Sequence, residues 1–316
     1  MPFGFSDGDA KHYNEKYAKQ VGWYGEIPEA AFVDYPCLAH DAVSGTEAEK
    51  TRFALEVYAF QQNVFADEVQ RDGKLGQFTW IHLLKTYDVV DDVSYIVSSG
   101  RRFATPNAAV CSFEDQFGYD LHHAGNFSKR KKKPSLIVIH WGGATVRGLY
   151  SYFNNPTRDL STHFGIGVTG SFQFLDLKHR AWHAGYVNDF SIGIDICQQP
   201  TRNYLDYYLK RGYSVEEAIN QTDRGRKEII SLEESSARHL RELVFELCRI
   251  TGIPARAPRG HVGMDMEGPV FHGLFYPDIL KNGDFQGVVG HHHLSDTKWD
   301  MACWWGQVFD GTELGD

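Results

Sequence analysis

The run Leu136-Ile137-Val138-Ile139-His140 limits the folds open to this 316-residue chain more than any other stretch. Four consecutive aliphatic residues after Ser135 read as a buried strand. A histidine ends the run, where a side chain can emerge at the edge of a sheet into a cleft. Gly142 and Gly143 follow and permit a close approach. Patterned segments then come in a fixed order: Ser161-Thr162-His163-Phe164, Ala181-Trp182-His183-Ala184-Gly185, Asn188 to Asp195, Gly290-His291, and Lys298-Trp299-Asp300.

Phe164 to Val168 and Ser191 to Ile196 read as further strands, and Phe285 to Val289 as one more, ending at His291. A helix is predicted after Ser231, with Ser231 as its cap and Glu234 completing a capping box. Leu240, Leu243, Val244, Leu247 and Cys248 make its apolar face, and Gly252 and Pro254 end it. Strands alternating with helices predict an α/β domain built on a central mixed β-sheet flanked by helices. Residues 200–230 and 255–284 read as insertions around the site. The chain shows no internal repeat and no low-complexity tract.

Before this domain, Phe53, Val57, Phe60 and Val64 recur at helical spacing. Asp72-Gly73 breaks the pattern, and Thr79 to Leu84 reads as a second, shorter helix with Thr79 near its cap. The basic run Lys129 to Lys133, closed by Pro134, reads as a solvated linker. The expected division is therefore a smaller, mainly helical region at 1–130 and a catalytic domain at 131–316.

Hydrophobic residues at 42% and charged residues at 23% fit a globular core. A net charge of −9 argues against a general nucleic-acid binder or an adhesive for anionic membranes. No apolar run approaches the ~20 residues that span a bilayer. The first ten residues lack a basic and an apolar signal region, so cytoplasmic synthesis without a signal peptide is expected. The five cysteines are widely spaced and contain no CxxC pair, which fits a reducing compartment and no disulfide framework.

A catalytic zinc site commonly takes three protein ligands and leaves a position for water. His140 is the first candidate. His291 and Asp300 are the next, because a nine-residue step lets a strand end and a loop turn back to one ion. His293 is the alternative to His291, since alternation along a strand would put both on one face. His261, after Gly260, competes without a preceding β-run. Cys303 lies three positions beyond Asp300 and reads as a small buried residue. Trp304 and Trp305 read as core, with a cleft wall as the alternative.

These motifs, in this order, resemble the type 2 N-acetylmuramoyl-L-alanine amidases, the zinc family that includes phage lysozyme-like amidases and peptidoglycan recognition proteins. The resemblance covers roughly residues 135–310. It implies Zn2+ on His140, His291 and Asp300, with His291 chosen because it directly follows Gly290. It implies Asp195 as the base and Lys298 as a cation for the oxyanion. His163, Trp182 and His183 match positions that line or brace the substrate cleft. Where the family has Pro-Gly after the last ligand, this chain has Met301-Ala302. The segment from Val57 through Phe60-Gln61, Asp72-Gly73 and Gly76 to Thr79-Trp80 resembles a small helical peptidoglycan-binding module. Peptidoglycan is thus the implied partner, reached as an endolysin or cell-wall-lytic effector after release or delivery. A non-catalytic peptidoglycan binder on the same scaffold and a metallopeptidase cutting cross-links are the alternatives; an HExxH helix is absent.

Overall fold

A computed structural model describes residues 6–21, 27–40, 42–65, 71–87, 94–115, 118–121, 124–210, 212–222, 225–258, 263–265, 268–271, 284–295, 298 and 300–314. His261 and Trp299 lie outside the described residues. The chain divides into two compact units, Met1–Val93 with Leu209–Tyr213, and Ser94–Tyr208 with Ser214–Asp316.

The first unit holds helices α1 (Asp7–Val21), α2 (Ala31–Asp34), α3 (Glu47–Val64) and α4 (Gln77–Thr86). Thr46 and Glu49 form a reciprocal capping box at the start of α3. Phe53, Val57 and Phe60 are buried on α3, as their spacing predicts, and Val64 is half-buried. α4 begins two residues ahead of Thr79, so Thr79 is no cap. Its buried hydroxyl accepts instead from the Gln61 amide at 3.0 Å. Gln61 also accepts from Gly73 N–H at 2.8 Å, and the buried Asn14 binds Gly73 C=O and Leu75 N–H. Much of the Gln61-to-Thr79 motif therefore fastens its own loop.

The second unit opens with β1 (Tyr95–Ser98), β2 (Arg101–Ala104), β3 (Val110–Cys111) and β4 (Phe127–Lys129). It continues through β5 (Leu136–Trp141), α5 (Val146–Phe153), β6 (Phe164–Gly167), β7 (Gly170–Gln173), β8 (His179–Ala181), β9 (Ser191–Ile196) and the short α6 (Leu205–Leu209), whose last residue belongs to the first unit. β10 (Glu217–Thr222), β11 (Gly225–Ile230), α7 (Glu234–Thr251), β12 (Gly263–Asp265), β13 (Gly268–Phe271), β14 (Gly287–Gly290) and α8 (Trp305–Phe309) complete it. The main sheet runs β14-β5-β9-β6-β7-β3, parallel except at β6/β7.

The boundary expected at 130 lies earlier, between Val93 and Ser94. β3 joins the main sheet beside β7, and β4 forms a separate two-stranded sheet with β8, which ties residues 94–129 to the second unit. The lysines of the basic run are exposed, as expected, but the run is no linker between the units, and Arg130 within it is tied down. Arg130 donates to the carbonyls of Leu177, Asp189 and Ser191 at 3.0, 3.3 and 2.9 Å. Burial pulls its guanidinium pKa down to about 10. The two stretches expected as insertions meet in one four-stranded sheet, where β10 pairs with β13.

Alternation along the central strands separates core from site. Ile137 and Ile139 of β5, and Ile192, Ile194 and Ile196 of β9, pack with Leu240, Leu243, Val244 and Leu247 of α7. Trp304 and Trp305 are fully buried in that same cluster, so they are core and not cleft walls. The opposite face of β5 presents Leu136 and Val138 to Val187, Phe190 and Leu294, and His140 follows in that register. α7 is capped by Glu233, whose carboxylate accepts from Ser236 N–H, and not by Ser231. Ser231 instead accepts from Glu216 N–H at 2.8 Å. No helix among the described residues is long and apolar enough to cross a membrane.

Candidate metal centre

His140 is the penultimate residue of β5, beside Asp195 of β9, its registered partner across a parallel pair, so both side chains leave the same face of the sheet. Gly142 and Gly143 make this approach possible. A Cβ at Gly142 would sit 3.1 Å from Asp195 Cβ, and Gly143 adopts φ +64°, which disfavours other residues.

The strand predicted to run up to His291 stops at Gly290, and His291–His293 form a single 3₁₀ turn. Strand alternation therefore does not apply to the three histidines. His291 turns toward His140, with the two Nδ1 atoms 3.0 Å apart. His292 Nδ1 donates to Asp300 C=O at 2.9 Å and holds the returning loop. His293 is buried, and its Nδ1 accepts from Gly290 N–H at 3.0 Å. The chain leaves Asp300 through Met301 at φ 71°, where the resembling family has Pro-Gly. Cys303 is partly buried against the core.

His140, His291 and Asp300 converge. Asp300 Oδ2 lies 3.0 Å from His291 Nδ1 and 4.0 Å from His140 Nδ1, so three donor atoms face one another. A triangle with these sides has its corners about 2.0 Å from a common centre, which is the length of a zinc–nitrogen or zinc–oxygen bond. The chemistry fits as well as the size. Burial, then the neighbouring His291 and His183, pushes the His140 pKa well below its ordinary value, which keeps a lone pair available. The His291 hydrogen bond and nearby positive groups hold Asp300 below the usual carboxylate range despite its burial. Two imidazoles and one carboxylate can hold a divalent cation.

Asp195 is 7% exposed. Burial raises its pKa to about 7; a Thr162 hydrogen bond opposes this and the Asp300 charge adds to it. Such a carboxyl can exchange a proton near neutral pH. Thr162 lies inside a recognised motif, yet nothing in sequence distinguishes it from its neighbours. Lys298 is exposed, and its positive charge acts on both His140 and Asp300. Asp189 lies 3.6 Å from Arg180.

The histidines expected to line the cleft divide. His163 is fully buried and cannot reach substrate. Its Nδ1 accepts from Gly193 N–H at 3.1 Å, its Nε2–H donates to His179 C=O at 3.1 Å, and Arg130 Nη2 lies 3.0 Å away. His183 points at His140, with its Nδ1 3.0 Å from His140 Nε2. Trp182 is half-buried, with the Arg180 guanidinium 5.1 Å from its ring centroid.

The surroundings of His163 set a pH dependence. Burial and then the Arg130 charge push its pKa to about 3, against an ordinary value of 6.5. Between those values the unfolded chain binds a proton that the folded chain refuses. Stability is therefore lost as pH falls from 6.5 toward 3, by about 3 kcal/mol at pH 4. Urea unfolding at pH 7 and pH 4 should show the drop, and His163→Asn should flatten it. An equal pH slope in that variant would place the acid sensitivity elsewhere.

A family model described as N-acetylmuramoyl-L-alanine amidase matches residues 130–302. N-acetylmuramoyl-L-alanine amidase A of Achromobacter lyticus is 30% identical over 74 residues, which is 23% of this chain and 42% of that protein. The match thus spans less than half the length of that curated relative. Among solved structures, a mutant endolysin from Bacillus subtilis aligns with TM-score 0.32 and 19% identity, over 46% of this chain and 79% of that one. The catalytic domain of XlyA aligns with TM-score 0.25 and 28% identity, over 29% of this chain and 62% of that one.

Proposed function

The chain belongs to the N-acetylmuramoyl-L-alanine amidase family, and on that footing we propose that it is a zinc-dependent hydrolase of the amide between N-acetylmuramic acid and the L-alanine of the peptidoglycan stem peptide. The observation that carries this reading is the convergence of His140 Nδ1, His291 Nδ1 and Asp300 Oδ2 beside the buried Asp195. His140, His291 and Asp300 would hold the zinc. When bound, zinc supplies a Lewis acid that polarises the scissile carbonyl and lowers the pKa of water toward about 7. Asp195 accepts a proton from the attacking water and passes it to the leaving L-alanine amine. Its pKa near 7 suits both transfers, because neither protonation state is strongly preferred at neutral pH. Lys298 offsets the charge that develops on the attacked oxygen. His292 keeps Asp300 in place through the 2.9 Å bond to its backbone carbonyl.

The first unit is proposed to bind peptidoglycan and raise the local substrate concentration without touching the chemistry. The whole protein would then act as an endolysin or a cell-wall-lytic effector on the intact polymer. Mass analysis of digested sacculi tests the activity. An amidase releases intact stem peptides with a free L-alanine amine, while a peptidase releases fragments cut within the stems and a non-catalytic binder releases nothing. In the same digest, a chain beginning at Ser94 should cleave small soluble muropeptides as the full chain does. On sacculi it should lag by about tenfold or more, within the range that tethering provides. Equal rates on both substrates would leave the first unit with a packing role only.

A further inference from the structure

His183 ends a chain of hydrogen bonds whose polarity can be worked out from its far end. Ser191 Oγ lies 2.8 Å from Val187 C=O. A carbonyl only accepts, so the single hydroxyl proton of Ser191 is committed there. His183 Nε2 lies 3.0 Å from the same Oγ, and it must therefore carry a proton and donate. Among the described residues the His183 ring meets Ser191 and His140 and no carboxylate, so it carries a single ring proton. With its proton on Nε2, its Nδ1 holds a lone pair. That lone pair faces His140 Nε2 at 3.0 Å, which must then be the protonated nitrogen of His140. The remaining nitrogen, His140 Nδ1, is bare, and it is the atom that faces His291 and Asp300.

We infer that His183 is a positioning residue: with Ser191 and Val187 it fixes the tautomer of His140 so that Nδ1 is always available to the metal. This rests on the zinc centre proposed above. It assigns His183 neither to the metal nor to substrate.

The surroundings of the ring are built for this task. His183 N–H and Ala184 N–H both donate to Asn188 Oδ1, at 3.1 and 2.7 Å, which fixes the backbone under the ring. The ring lies on Gly193, where an added Cβ would come within 2.8 Å of it. Ser191, Gly193 and Asp195 share one face of β9, so a single strand face supplies the proton donor to Val187, the seat for the ring and the proposed base. The relay thus gives a physical reason for the close succession of His183, Asn188, Ser191 and Gly193 in the sequence. Partners of this kind, which hold a ligating histidine through its second nitrogen, typically contribute 10–100-fold to metal affinity.

The test measures zinc affinity of the full chain by competition with a chromophoric chelator. His183→Ala should bind zinc about 10–100-fold more weakly. His183→Asn leaves an amide oxygen near the position of Nδ1 and should recover most of that loss. Ser191→Ala keeps the ring and its packing, and should also bind more weakly than the unaltered chain. It carries the test if His183→Ala does not fold. Nitrogen-15 spectra of the metal-free, histidine-labelled protein give a second readout. His140 should carry its proton on Nε2 in the unaltered chain, and should show both tautomers in Ser191→Ala. Unchanged zinc affinity in His183→Ala and Ser191→Ala, or a proton on His140 Nδ1 in the unaltered chain, would overturn the relay. If Asp300→Ala abolishes zinc binding while the relay variants do not weaken it, only the relay fails. If Asp300→Ala also leaves zinc binding untouched, the metal centre fails and the relay falls with it.

Discussion

Asp300→Ala is expected to lose stoichiometric zinc and nearly all hydrolysis of peptidoglycan while remaining folded. Asp300 provides the only negative charge of the three converging donors, and its carboxylate stays ionised in spite of burial because His291 and nearby cations stabilise it. Without it, two imidazoles alone would face a divalent cation in a largely buried place. Polarisation by a bound metal is worth several kcal/mol of transition-state stabilisation, so activity should fall by about 10³-fold or more. His140→Ala and His291→Ala should behave alike. His293→Ala should keep its zinc, because His293 Nδ1 is engaged with Gly290 N–H and its ring lies against Trp305 in the core. Plasma emission spectrometry on the purified variants reads the metal, and circular dichroism reads the fold. Full zinc in His291→Ala, with loss in His293→Ala, would reverse the assignment.

Asp195→Asn separates chemistry from metal binding. The amide is nearly isosteric with the carboxyl, but it cannot take a proton from water. Zinc content should be unchanged and kcat should fall by about 10²- to 10⁴-fold, the usual contribution of a general base. KM should change little, because the lost interaction belongs to the transition state. The variant should also be more stable above pH 4. A buried carboxyl whose pKa is raised to about 7 costs stability as pH rises through that range, and Asn removes the ionisation. Turnover within threefold of the unaltered enzyme would remove Asp195 from the mechanism. Asp189 would not be an obvious substitute, since it lies beside Arg180.

Much of this was legible in the sequence, because period-2 and period-3.6 patterns report directly on burial. β5, β9 and the apolar faces of α3 and α7 come from that source, as does the placement of His140 at a strand end. The details that escaped depend on contacts between segments distant in sequence. The domain boundary moved from 130 to 93 because β3 and β4 pair with β7 and β8, and neither short strand has a pattern of its own. Arg130 sits in a run of like charges and gives no sign that its guanidinium spans three carbonyls from residues 47 to 61 positions away. The cap of α7 was displaced by two residues because Ser231 finds a partner in Glu216, an alternative that local rules do not include. The pattern carries the last strand to His291, whereas it stops at Gly290, and a 3₁₀ turn has no sequence signature over three identical residues. His183 and His163 were recognised as part of the site, but the atoms they face decide their roles. One is fully buried against Arg130, and the other meets the second nitrogen of His140.

The most direct test of the account is an anomalous difference map recorded at the zinc absorption edge from crystals of the full chain grown with zinc. The account predicts one strong peak in the second unit, about 2 Å from His140 Nδ1, His291 Nδ1 and Asp300 Oδ2, with no protein ligand contributed by His183 or His293. A peak held by His183, His261 or His293, or no peak within bonding distance of Asp300, would contradict it.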